Sequence, residues 1–203
     1  MESTEISPES PFFGVPQPIV ELAQSLADFV EKAVGIRPDF DPDTLPLVDH
    51  YAREVREQLK ERPELLDLAA QALGAYFGEV FRRSANGFWK VPSSNYNDWL
   101  ICGTHAYVAL NPIGVGYDAI VGSQNHHGPS SGLKLAPEDR ASLDARLAAL
   151  PQEKEEDFYS LSTRLEVLQI VHAGVEAEAE KRGYSEQVYD AEDYGDELRT
   201  LGG

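Results

Sequence analysis

The clearest pattern in the sequence is a helical repeat of apolar residues between positions 63 and 83. Apolar side chains recur there at the i, i+3, i+4 and i+7 spacing that places them on one wide face of an α-helix. Pro63 suits the first turn of a helix, and the Asn-Gly pair at 86–87 is typical of a helix end. Gly74 and Gly78 each cost about 1 kcal/mol relative to alanine in a helix interior. We therefore predict a core helix with a flat glycine stripe, against which another backbone can pack closely.

Further segments show the same helical period and end at glycine or proline. The helix before the core helix ends at Arg62-Pro63, so the two are predicted to form a helical hairpin with a very short connection. The predicted helices besides the core helix are residues 18–34, about 43–60, 136–150 and 155–182.

After Gly87 the apolar runs become short, and Pro, Ser, Asn and Gly separate them. Runs rich in β-branched and aromatic residues between turn residues are typical of strands. We predict three or four antiparallel strands between residues 88 and 121, with the Gly-Val-Gly of residues 114–116 in a hairpin turn. That Gly-x-Gly lacks a third glycine, and no following helix is evident, so it does not predict a phosphate-binding loop. Residues 123–132 are predicted to form a polar loop.

These elements together predict an α+β fold, in which a helical hairpin and flanking helices pack on a small antiparallel sheet of three to four strands. A chain of 203 residues is long enough for one domain with a substantial core. We assign residues 18–183 to that single domain. Residues 1–17 are expected to form an irregular arm pinned by Phe12 and Phe13, and residues 184–203 an acidic, tyrosine-containing tail that is partly disordered.

The charge of the chain restricts its partners. It has 35 Asp and Glu against 17 Lys and Arg, a formal net charge of −18. Such a field repels nucleic acid and anionic membranes and attracts cationic partners. No apolar run approaches the roughly 20 residues of a membrane span, the N-terminus lacks the features of a secretory signal, and Cys102 is the single cysteine. We expect a cytoplasmic protein that binds neither nucleic acid nor membranes.

No group of residues predicts a metal site or a cofactor. The alternating aspartates of residues 39–43 resemble a Ca²⁺ loop, but Pro42 interrupts them, and the glycine and the final glutamate of such loops are missing. Capping of the next helix by Asp43 or Thr44 explains them better. Cys102 and His105 lie on a predicted strand, where their side chains point to opposite faces, so they do not form half of a zinc site.

One segment resembles a known sequence motif. Residues 73–89, LGAYFGEVFRRSANGFW, resemble a motif of uncharacterised bacterial domain families in which G-A-Y-x-G-E on a helix precedes arginines and a G-x-W that opens a strand. The chain departs from the motif at Phe88, where an Arg or Lys is expected. The resemblance implies a bacterial accessory protein with a compact helix-to-sheet junction, and it implies no catalytic residue. The matching positions are Gly74, Ala75, Tyr76, Gly78, Glu79, Arg83, Gly87 and Trp89.

Two classes of function remain open. The first is a non-catalytic interaction protein of the immunity or antitoxin type, which masks a basic bacterial protein with its acidic surface. The same acidity also fits a protein that is merely kept soluble by its charge. Large rigid aromatic residues commonly dominate interface energies, so exposed rings near the sheet are candidate anchors. The expected partner-binding residues are Glu153, Glu155, Glu156, Asp157, Tyr96 and Trp99.

The second class is an enzyme or small-ligand-binding protein with a pocket between the sheet and the 123–132 loop. Its polar groups would be Glu79, His105, His126 and His127. No catalytic residue is assigned, because Cys102 lies in an apolar segment and no G-x-S-x-G elbow is present. Glu79 has an alternative, purely structural role. It can form an ion pair with an arginine on the same helix or on a neighbouring helix.

Overall fold

The computed structural model describes residues 10–150, 154–184 and 187–195, without the side chains of Glu155 and Glu156. Four strands form one antiparallel sheet in chain order: β1 (Phe88–Lys90), β2 (Leu100–Cys102), β3 (Val108–Leu110) and β4 (Lys134–Leu135). The predicted α+β fold, with a helical hairpin and flanking helices on a small antiparallel sheet, is confirmed. The helices are α1 (Gln17–Val34), α2 (Leu45–Glu61), α3 (Leu66–Ser84), α4 (Pro112–Val121), α5 (Pro137–Ala148), α6 (Glu155–Phe158) and α7 (Leu161–Lys181).

The apolar periodicity located the first three helices closely. Arg62 and a single 3₁₀ turn, Pro63–Leu65, connect α2 to the core helix α3, which confirms the short hairpin connection. A second 3₁₀ turn, Pro42–Thr44, precedes α2, and its capping residue is Asp41. Thr44 occupies the N-cap position of α2, but its side chain accepts no capping hydrogen bond there. The Asp41 carboxylate accepts a hydrogen bond from the Asp43 N–H at 2.9 Å.

The predicted helix over residues 155–182 is interrupted. The structure places a one-turn helix, α6, before α7, and the Ser160 side chain caps α7 by accepting from the Thr163 N–H. Asp49 of α2 fixes the same point, because its carboxylate accepts from the Leu161 N–H at 2.6 Å and the Ser162 N–H at 3.1 Å. The contact joins residues far apart in the sequence, so local periodicity does not indicate it.

The hairpin turn predicted at residues 114–116 is wrong, because these glycines lie inside the buried helix α4. The Asn111 side chain caps α4 by accepting from the Ile113 and Gly114 N–H groups, and Gly122 ends it with a φ of 73°. Residues 117–121 are therefore helical rather than extended, and β4 follows the loop instead.

Glycines allow α3 and α4 to cross at very short range. A Cβ at Gly74 would lie 2.5 Å from the Ile113 Cα, and one at Gly116 would lie 2.1 Å from the Ala70 carbonyl oxygen. Real Cβ atoms essentially never approach that closely, so neither position tolerates a side chain without movement of a backbone. The predicted close approach of a second backbone is thus confirmed at Gly74, where α4 supplies that backbone, whereas Gly78 of the same stripe faces the Trp89 side chain.

Tyrosines cover the face of the sheet that points away from the main core. Leu100, Cys102 and Ala109 lie on that face, and Tyr194 packs on them with 1% of its surface exposed. The Tyr194 hydroxyl lies 2.8 Å from the Gly103 carbonyl oxygen and accepts from the Val108 N–H at 3.1 Å. Tyr194 belongs to residues 187–195, which we call the C-terminal strap.

The N-terminal arm is held by one ring rather than two. Phe12 is buried and packs edge-on against Phe40 at 5.2 Å between ring centroids, whereas Phe13 is 58% exposed.

Candidate functional site

The carboxylate of Glu79 is completely buried and saturated with donors. Its Oε1 accepts from the Trp89 indole N–H at 2.7 Å and from Arg82 Nε at 2.9 Å. Its Oε2 lies 3.1 Å from Arg82 Nη2 and 3.6 Å from Arg83 Nε. The arrangement is an internal ion pair with arginines of the same helix, and it leaves no carboxylate oxygen directed at a ligand.

The residues of the 73–89 motif pack together as one junction. Gly78 makes room for the Trp89 ring, which would lie 2.4 Å from a Cβ at that position. The Tyr76 hydroxyl accepts from the Phe40 N–H at 2.9 Å, and the Arg83 guanidinium lies 4.5 Å from the centroid of the Phe40 ring. These contacts join α3 to β1 and to the chain before α2, so they hold the fold rather than form an open site.

A second buried carboxylate, Asp118 on α4, organises the 123–132 loop. Its Oδ1 lies 2.8 Å from His126 Nε2, while its Oδ2 accepts from the Ser131 hydroxyl and from Arg164 Nη2, the latter at 2.7 Å. A hydrolytic triad needs the histidine between the serine and the aspartate, where it can take the serine proton. Here the aspartate lies between the two, so the cluster fastens the loop to α4 and α7. Sequence reasoning missed Asp118, Ser131 and Arg164 because no local spacing relates them.

The space between the sheet and this loop is small. The cavity bordered by Leu110, Ser131 and Arg164 has a volume of about 20 Å³, which holds about one water molecule. The His126 side chain is only 5% exposed and stacks on Tyr117. This cavity is therefore too small for a ligand larger than water.

The other candidate pocket residues lie apart. His127 is exposed and 2.8 Å from Asp67, whose pKa is lowered by hydrogen bonds from the Tyr117 hydroxyl and from His127. His105 is exposed in the turn between β2 and β3. Within the described part of the chain, no hydrogen bond or ion pair joins Glu79 or His105 to the loop histidines.

Burial raises the pKa of the Cys102 thiol to about 12, so Cys102 is not an activated nucleophile.

The expected partner-binding residues occupy different environments. Trp99 is 5% exposed and donates its indole N–H to the Ser93 carbonyl at 2.9 Å, so it is a core residue rather than an exposed anchor. Tyr96 is half-buried, and Asp157 lies 4.0 Å from Arg53 at the surface. Glu153 and the side chains of Glu155 and Glu156 lie outside the described residues.

One cavity lies in the helical layer. An apolar pocket of about 240 Å³ lies between α1, α2 and α3, with the partly exposed Phe29 and Leu68 in its lining. Its lining contains no His, Cys, Asp or Glu, and its titratable residues are Tyr51 and Arg62.

A larger cleft, of about 820 Å³, lies between the start of α5, the end of α7 and the C-terminal strap. Asp139 and Arg182 form a 2.6 Å ion pair in its wall. The remaining polar and aromatic residues of the wall are Tyr107, Glu138, Tyr184, Gln187 and Tyr189.

The described residues also bear on metal and membrane binding. Among them, no group of three or more His, Cys, Asp or Glu side chains is arranged to hold a metal ion. None of the described helices combines the length and the apolar character needed to cross a membrane.

Comparison with known proteins adds no relative. No protein-family model matches the chain, and no match was found among curated proteins or solved structures.

Proposed function

We propose that this protein is a non-catalytic binding protein that covers a basic protein partner with its acidic surface, in the manner of an immunity or antitoxin protein. The observation that carries this proposal is the unequal pairing of charges at the surface. Most of the described cations are already engaged with carboxylates of the same chain. The cations within 4.0 Å of a carboxylate include Arg37, Arg53, Lys60, Arg62, Arg82, Arg83, Arg146, Arg164, Lys181 and Arg182.

Several exposed carboxylates have no such partner. Within the part of the chain that the structure describes, no Lys or Arg side chain lies in ion-pair distance of them. They include Glu21, Asp43, Glu61, Glu138, Asp144, Glu166, Glu180 and Glu192. The helices α5 and α7 pack together at Leu143 and Gly174 and carry four of these carboxylates, Glu138, Asp144, Glu166 and Glu180, and we propose that this pair of helices forms the partner-facing surface.

The buried polar groups support a non-catalytic role. Glu79 and Asp118 are both saturated by internal donors, and the Cys102 thiol is buried under Tyr194. A general acid or base needs an open approach to its substrate, and these groups have none.

The experiment is capture of partners from the native cell lysate at low salt, followed by release at high salt and titration of the purified partner. The test variant carries Asp144→Lys, Glu166→Lys and Glu180→Lys. The matched control, Glu54→Lys with Glu57→Lys and Glu61→Lys, changes the net charge equally but on α2. We expect a basic partner whose affinity falls at least about tenfold in the test variant and far less in the control. Equal losses in both variants, or no salt-released basic partner, would contradict the proposal.

A further inference from the structure

We propose that the cleft between α5, α7 and the C-terminal strap binds the cationic end of a lysine or arginine side chain that the partner presents. This inference rests on the proposed function and assigns a specific subsite to the acidic surface. The cleft's volume of about 820 Å³ lies within the range of about 300–1,000 Å³ typical of ligand sites.

Three tyrosines from separate parts of the chain line the cleft. Tyr107 precedes β3, Tyr189 lies on the strap, and their ring centroids are 5.3 Å apart at an interplanar angle of 63°. Tyr184 follows α7 and is 59% exposed. The face of a tyrosine ring is negative and attracts ammonium and guanidinium groups. The Tyr107 ring already stacks on Tyr194, so the exposed Tyr184 ring is the one best able to offer its face to a cation.

The end of α7 fixes the position of Tyr184. Gly183 adopts a φ of 83°, which turns the chain, and the Tyr184 N–H bonds to the Ala179 carbonyl at 2.9 Å. The Gly183 N–H bonds to the Glu180 carbonyl at 3.0 Å, completing a Schellman motif. Tyr184 is therefore placed at the cleft by backbone bonds before any ligand is present.

The charges around the cleft favour a cation. Glu138 and Asp139 lie in its wall, and Arg182 is the basic residue there, already paired with Asp139. Burial is the main cause that raises the pKa of Tyr189, and Asp139, Asp193 and Glu138 raise it further while Arg182 opposes them. The partial charges of the two helix ends are of opposite sign and about half an elementary charge each, so they offset one another. The wall carries two carboxylates, Glu138 and Asp139, against one arginine, so it would repel an anion. A cation would be attracted by the carboxylates and by the tyrosine rings.

The test uses defined probes and the full-length protein. N-acetyl-arginine amide and N-acetyl-lysine amide are titrated while the backbone amide resonances are followed by NMR, with N-acetyl-citrulline amide as the uncharged analogue of arginine. We expect saturable shifts at Glu138, Arg182, Tyr184 and Tyr189 with both cations and none with citrulline. Equal saturation by citrulline, or no saturation by either cation, would overturn the inference.

Two surface variants locate the binding. Glu138→Gln and Tyr184→Ala are each expected to weaken the binding of the cationic probes by about two- to fivefold, the size of an exposed charge or cation–π contact. Glu61→Gln removes the same charge from α2, outside the cleft lining and outside the α5–α7 surface, and Phe13→Ala removes an equally exposed ring elsewhere. Both controls are expected to bind the probes with the wild-type affinity. Wild-type affinity in Glu138→Gln and Tyr184→Ala as well would overturn the inference.

The partner titration separates this inference from the proposed function. A basic partner that binds wild type and Glu138→Gln with the same affinity leaves the masking function standing and overturns the cleft as its subsite. Saturation of the cleft by the cationic probes without any basic partner in the lysate supports the cation site and contradicts the masking function.

Discussion

The carboxylate of Glu79 shows how a buried charge is used in this protein. It is fully enclosed and bonded to Arg82 and the Trp89 indole. We predict that Glu79→Ala lowers the free energy of unfolding by about 3 kcal/mol, because Arg82 and the Trp89 indole N–H lose their acceptor and Arg83 loses its ion-pair partner. Chemical denaturation measures the change.

The control for that prediction is an exposed ion pair. Glu64 and Arg62 are 3.1 Å apart with both side chains largely exposed, so Glu64→Ala is expected to change stability far less. A comparable loss in the two variants would show that Glu79 has no special structural role.

His172 gives the fold a dependence on pH. Burial is the main cause that lowers its pKa, His105 lowers it further, and Glu176 at 3.5 Å opposes both. The unfolded chain therefore takes up a proton at this site below about pH 6.5 while the folded chain resists it, and stability falls as the pH falls.

We predict that the free energy of unfolding of His172→Gln falls less between about pH 7.5 and pH 5.5 than that of the wild type. His50, which is exposed beside Glu54, provides the matched control, and His50→Gln should keep the wild-type slope. Denaturation curves at the two pH values decide between these outcomes, and identical slopes for both variants would count against the role of His172.

At the scale of elements, the C-terminal strap closes the outer face of the sheet. Tyr194 covers Cys102, the single cysteine of the chain, and stacks on Tyr107 at 4.6 Å. We predict that Tyr194→Ala raises the rate of Cys102 modification by a thiol reagent at least about tenfold, because the thiol loses its cover. Circular dichroism checks that the variant remains folded.

Tyr184→Ala is the control for the strap, since Tyr184 lines the cleft but does not pack on Cys102. In Tyr184→Ala, the Cys102 thiol should react at the wild-type rate. That result would also show that this cleft variant leaves the C-terminal strap in place. If the thiol reagent modifies Cys102 in Tyr194→Ala as slowly as in the wild type, residues other than Tyr194 protect the thiol.

The helices differ in how well the sequence predicts them. A clear apolar stripe located α1, α2 and α3, whereas α4 is buried on all sides, Asp118 included, and has no apolar stripe opposite a polar one. Its end signals were nevertheless present: Asn111 before Pro112, and Gly122 ten residues later. The interruption before α7 depends on Asp49, which is distant in the sequence, and local reasoning has no access to it.

At the scale of the whole molecule, the net charge is available from the sequence, but its distribution is not. The sequence predicted an acidic protein, while only the fold shows which carboxylates lack a cation. The cleft could not be predicted, because Tyr107, Glu138 and Tyr189 come from three separated segments. The sequence also failed for Trp99, which was expected at the surface as a partner-binding residue and is buried in the structure.

The measurement that tests the central claim most directly is the dissociation constant of the captured partner over a range of salt concentrations. It is made for the wild type and for the α5–α7 variant with Asp144, Glu166 and Glu180 changed to lysine. We predict that the wild-type affinity falls steeply as salt rises, and that the variant binds more weakly with a shallower dependence. A dissociation constant that is independent of salt, or unchanged by the three reversals, would contradict the account.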